Sequence, residues 1–170
     1  IKEMLKPMPP GKPSPLMHRD NAKLITSGNL EDNLDLLKDV DWIVEAVIEN
    51  LEIKKEVYKK LEIHRKKGSV VSSNTSTIPR AKLVEGMPKE FSKDFMITHF
   101  FNPPRYMRLL EIVPDKEVEK ETVDAIREFS DVKLGKEVII CKDTPGFIGN
   151  RIGIFWVQCA IHEAIKAGLT

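Results

Sequence analysis

Residues 41–74 read DWIVEAVIENLEIKKEVYKKLEIHRKKGSVVSSN, and the order of patterns inside them decides the fold. Six of the first ten residues are apolar and rich in Val and Ile around Glu45, as expected of a strand covered on both faces. The next segment sets Ile53, Val57, Leu61 and His64 at helical spacing against a face of lysines and glutamates, and Gly68 ends it. SVVSSN then returns as a short apolar strand. Strand, amphipathic helix, strand is a right-handed βαβ unit, so the chain is α/β with a parallel sheet.

Working outward, Ile1, Met4 and Leu5 in IKEMLK have the spacing of a helix, and the prolines of PMPPGKPSP make a surface loop. AKLIT, residues 22–26, has the length of a short strand. Asn29 caps a following helix that carries Leu30, Leu34 and Leu37 on one face. Downstream come a proline-punctuated helical stretch over 79–94, the strands FMITHFF and RLLEIV, a helix over roughly 117–130, and the strand KEVIIC. Alternation of this kind predicts a doubly wound, mostly parallel sheet with an antiparallel strand near its end. From Thr144 the pattern is helical, with Pro145 near the first turn, and apolar on nearly every face. A helix like this, spanning 147–168, needs a partner: missing domains of the same protein or a second copy in a homodimer.

Composition excludes several classes. The 170 residues are 41% hydrophobic and 31% charged, with a net charge of +1, so no field builds up that would favour nucleic acid. The longest apolar stretch is broken by Asn150 and Arg151 and falls short of the ~20 residues needed to span a bilayer. Cys141 and Cys159 are too few for a disulfide scaffold, which fits a reducing compartment and a cytoplasmic location. Cys159 and His162 are spaced like half a metal site without a second pair, so no metal is expected; Cys141 reads as a buried, inert thiol.

The chemistry is expected at THFFNPPRYMRLLEIV, residues 98–113, where one histidine and one glutamate interrupt an apolar run. If the two strands pair antiparallel and symmetrically about Arg105, facing residues have numbers that sum to 210, and His99 faces Glu111. Facing Cβ atoms lie about 4.5–5.5 Å apart, within reach of a carboxylate–imidazole hydrogen bond. Such a glutamate fixes the tautomer and orientation of the ring and leaves its second nitrogen as a base. The same pair read structurally is a bridge tying two strands together.

SSNTS at 72–76, HFFNP at 99–103, LLEIV at 109–113 and KDTPGFIGNR at 142–151 together resemble, in order and spacing, the L-3-hydroxyacyl-CoA dehydrogenases of fatty-acid β-oxidation. The likeness is nearer to the dehydrogenase part of long multifunctional enzymes than to the short stand-alone ones. It implies an incomplete Rossmann-type NAD-binding domain over 1–143 and the first helix of an all-α domain over 144–170. It implies His99 as general base and acid, Glu111 as its orienting partner, and Ser76 and Asn150 as polar groups at the substrate and nicotinamide. Glu49 and Lys54, from the pattern ENLxxK, become cofactor or substrate contacts, and Asn74 and Asn102 fall in cofactor-facing loops. NAD is the implied cofactor, acyl-CoA the implied substrate, and oxidation of (3S)-3-hydroxyacyl-CoA to 3-oxoacyl-CoA the implied reaction.

None of the nine glycines forms the GxGxxG turn of a dinucleotide site. The chain therefore reads as an internal segment of a longer enzyme, with the first βαβ unit lying outside it. Two other readings stay open: a non-catalytic fragment or paralogue that keeps the fold as a nucleotide- or acyl-CoA-binding scaffold, and another β-hydroxyacid dehydrogenase.

Overall fold

The computed structural model describes residues 14 and 16–169. Its frame is a sheet of five strands in chain order: β1 Trp42–Glu45, β2 Val70–Ser73, β3 Phe95–Phe100, β4 Leu109–Val113 and β5 Glu137–Ile140. β1, β2 and β3 are parallel, β3 and β4 antiparallel, and β4 and β5 parallel again. The 41–74 stretch folds as its pattern requires, with helix α1 Leu51–His64 between β1 and β2. Asn50 caps that helix by accepting from the Ile53 N–H at 3.1 Å.

Helices cover both faces, because alternate strand residues point opposite ways. Ile43, Val71, Phe95, Ile97 and Val113 face α1 and the short helices α2 Arg80–Val84 and α3 Lys89–Lys93, packing on Tyr58, Leu61, Leu83 and Phe91. Val70, Met96, Leu110 and Ile112 face the other way, onto Val118 and onto Ile126 of α4 Lys120–Glu128. The doubly wound α/β architecture expected from sequence is the one observed.

Several local expectations are corrected. AKLIT is not a strand: residues Arg19–Leu24 form a tight 3-10 turn with no buried side chain, so no apolar face recruits them to the sheet. His18 instead starts that turn by accepting from the Asp20 N–H at 3.2 Å. Asn29 does cap, taking the N–H groups of Glu31 and Asp32, but it closes only a turn, and the helical segment, again 3-10, is Leu34–Asp39. The single stretch at 79–94 divides into α2 and α3, each following a proline, with Gly86 at φ +81 between them. The helix expected over 117–130 begins at Lys120 and continues as one π-helical turn, Phe129–Lys133. The last helix, α5 Gly149–Lys166, starts five residues later than Thr144, because Gly146 and Phe147 adopt φ of 74° and 44°. IKEMLK lies outside the described residues.

Candidate active site

The site lies at the carboxyl ends of β1, β2 and β3. The strand residues that face α1 turn polar there: Glu45 on β1, Ser73 on β2 and His99 on β3, with Glu111 opposite His99 on β4. The observed register pairs Ile97 with Val113 and His99 with Glu111. Nδ1 of His99 and Oε2 of Glu111 are 2.7 Å apart, and both residues are buried. The other carboxylate oxygen, Oε1, accepts from the backbone N–H groups of Ile148 at 2.9 Å and Gly149 at 2.7 Å. One side chain thus holds both the imidazole and the start of α5. Phe101 and Phe147 flank the ring, with centroids 4.6 and 5.6 Å from it. An ionised carboxylate can only accept, so towards Glu111 it is Nδ1 that donates.

Ser76 and Asn150 line one cleft of about 760 Å³, between the turn after β2 and the inner side of α5, together with Thr77, Pro145, Arg151, Phe155 and others. Neither His99 nor Glu111 lines that cleft; the dyad is tied to it through the chain, by Gly149, whose N–H is held by Glu111 and which precedes Asn150. Among the described residues, the Ser76 hydroxyl and the side-chain amides of Asn102 and Asn150 make no hydrogen bond. They remain available to a ligand. Asn74 is half committed: its Oδ1 accepts from the Phe100 N–H at 2.8 Å, tying the end of β2 to the end of β3.

Glu49 holds the turn that carries Ser76. Its Oε1 accepts from the N–H groups of Ser76 and Thr77, both at 3.2 Å, from the Thr77 hydroxyl at 2.9 Å and from the Thr75 hydroxyl. Burial alone would raise its pKa, but the two threonine hydroxyls and the nearby Lys54 charge outweigh this and hold it at about 2. Lys54 is only 1% exposed, and its ammonium is enclosed by Glu45, Val47 and Glu49. Cys141, pushed up to about 11 by burial and by Glu111, stays a thiol.

Sequence reasoning missed three things. The buried face of α1 carries Lys54 and Tyr58, whereas Ile53 is exposed. A lone acid in the Val/Ile strand around Glu45 was the available signal, since such a group needs a buried partner. The second function of Glu111 depends on where α5 starts, which the positive φ of Phe147 hides from pattern analysis. Asp143 was also passed over; its carboxylate takes the N–H groups of Arg80 and Ala81 at 2.9 and 3.2 Å, fastening the segment before α5 to the start of α2.

Comparison with known proteins identifies the family. The family model for the 3-hydroxyacyl-CoA dehydrogenase NAD-binding domain matches residues 11–144. A probable 3-hydroxyacyl-CoA dehydrogenase of Bacillus subtilis is 46% identical over 168 residues, 99% of this chain and 21% of that protein. A putative fatty acid oxidation complex trifunctional enzyme of Rickettsia prowazekii is 42% identical over 169 residues, 99% of this chain and 24% of that protein. The chain spans about a fifth to a quarter of the length of these two relatives. The crystal structure of FadB2 from M. tuberculosis superposes with a TM-score of 0.74 at 29% identity, covering 81% of this chain and 48% of that one. By sequence and by fold alike, the chain belongs to the 3-hydroxyacyl-CoA dehydrogenase family, residues 11–144 matching its NAD-binding domain.

Proposed function

We propose that this chain supplies the proton-transfer groups for NAD-dependent oxidation of (3S)-3-hydroxyacyl-CoA to 3-oxoacyl-CoA in fatty-acid β-oxidation. The observation that carries this reading is the His99–Glu111 pair, 2.7 Å apart and joined through Glu111 to the helix start beside Asn150. A substrate hydroxyl within about 2.6–3.2 Å of Nε2 gives its proton to His99 as the C3 hydride departs, and the same nitrogen returns a proton in the reverse direction. Glu111 keeps the ring in the tautomer that can accept. Ser76 and Asn150, uncommitted and lining one cleft, orient the substrate oxygens.

The donor set fits a nicotinamide cofactor. The Ser76 hydroxyl, the Asn102 amide and the remaining Asn74 amide N–H offer hydrogen bonds at the carboxyl ends of parallel strands, where open α/β sheets receive ligands. Glu49 sets the turn that presents Ser76, with Lys54 behind it. Bound there, NAD supplies the hydride acceptor.

Acyl-CoA is the proposed substrate. Residues 144–170 begin a helical domain whose apolar side chains, Phe155, Trp156 and Ile165 among them, pack on the rest of that domain or on a second copy in a homodimer. No helix among the described residues is long and apolar enough to cross a membrane. Two unpaired cysteines fit our placement of the protein in the cytoplasm.

The test is His99→Gln in the full-length protein, followed by NADH consumption with acetoacetyl-CoA. Turnover is expected to fall about 10²–10⁴-fold with NAD affinity unchanged. Turnover equal to wild type would remove His99 from the chemistry.

A further inference from the structure

Among the described residues, Lys54 is the most deeply buried cation that the proposed chemistry does not use. Its Nζ donates to the Glu45 carboxylate oxygens at 2.8 and 3.1 Å and to the Val47 carbonyl at 3.3 Å, and lies 3.3 Å from Oε2 of Glu49. Glu45 is in turn fully engaged. Its Oε2 takes the Tyr58 and Ser73 hydroxyls, both at 2.7 Å, and its Oε1 takes the Val47 N–H at 2.5 Å. Groups from β1, α1 and β2 therefore close on one ammonium.

A single carboxylate would neutralise that ammonium, and a plain buried ion pair is replaceable by apolar residues at little cost. Here the cation meets a second carboxylate, and that one holds something. Oε2 of Glu49 faces Lys54 while Oε1 gathers the Ser76 and Thr77 N–H groups and the Thr75 and Thr77 hydroxyls. Glu49 stands free of the core on 37% of its side-chain surface, and among the described residues Lys54 is the one partner of its Oε2.

We propose that Lys54 is a positioning residue: anchored by Glu45, Tyr58 and Ser73, it fixes the Glu49 carboxylate and, through it, the Ser76-bearing turn that lines the cleft. The inference rests on the dehydrogenase reading only for why that turn matters.

The experiment compares Lys54→Met and the charge-balanced double variant Glu45→Gln/Lys54→Met with wild type, using ¹³C titration of the Glu49 carboxyl and deuterium exchange at the Ser76 and Thr77 amides. Both variants should move the Glu49 midpoint up from about 2 toward its ordinary 4.5, and speed exchange at the two amides about tenfold. Leu61→Ala, a core truncation on the same helix, should change neither. Unmoved readouts in the folded double variant, or an equal response in Leu61→Ala, would overturn the proposal. Should both Lys54 variants fail to fold, Tyr58→Phe decides, because it frees one anchor of Glu45 and touches neither Glu49 nor the turn: the Glu49 midpoint rises and the two amides loosen if the relay exists, and both stay as in wild type if it does not. His99→Gln leaves all of these readouts unchanged, which separates this proposal from the dehydrogenase reading.

Discussion

Glu111 receives three donors from two directions: the His99 ring on one oxygen, and the Ile148 and Gly149 amides on the other. Removing the carboxylate leaves all three without a partner in a buried place. Glu111→Ala should therefore lower stability by about 3–5 kcal/mol as well as turnover, measured by urea unfolding; a loss under about 1 kcal/mol would mean that water replaces the carboxylate. Glu49 makes a different prediction. Its folded pKa, about 2, lies below its ordinary 4.5, so its stabilising contribution is complete above that value and fades as pH falls toward 2. Glu49→Gln should flatten the acid limb of the stability curve between those values while leaving the neutral region nearly parallel to wild type. The His99–Glu111 contact was legible because two prolines fix the turn and Arg105 marks its centre of symmetry. The burial of Lys54 was not, since a lysine among lysines on an amphipathic helix reads as wet surface until the acid beneath it is seen.

At the scale of elements, the first turn of α5 is the sensitive joint. A Cβ on Gly149 would stand 2.7 Å from Cζ of Phe101 and 3.6 Å from Oε1 of Glu111. Alanine gains up to about 1 kcal/mol of helix propensity over glycine, but the overlap falls on a ring confined against His99, 4.6 Å between centroids. The overlap wins. Gly149→Ala should lower the melting temperature and shift the imidazole ¹⁵N resonances of His99; a rise in melting temperature with unmoved resonances would show that Phe101 swings aside freely. The β-strands and α1 were readable because their periods are regular and their apolar faces wide. The short elements were not: the 3-10 turn at Arg19–Leu24 buries nothing, so its composition carried no packing signal, and the onset of α5 depends on two backbone angles rather than on side-chain pattern.

For the whole molecule, the sheet and α1–α4 form a packed body, while α5 offers Ile152, Phe155, Trp156, Ile161 and Ile165 to water, each more than half exposed. The 170-residue chain alone should self-associate as its concentration rises, and Phe155→Asp/Trp156→Asp should shift sedimentation toward the monomer without altering the far-ultraviolet signal of the sheet. A chain that stays monomeric at high concentration would show that α5 folds back on its own sheet in solution. The overall alternation of strand and helix was legible; the company that α5 keeps was not, because an apolar surface states only that something covers it.

The shared carboxylate at position 111 sets a limit on its length as well as its charge. Aspartate, one methylene shorter, would reach toward the ring or toward the helix start but could not span both, so even the mildest acidic exchange there would leave one of the two untethered.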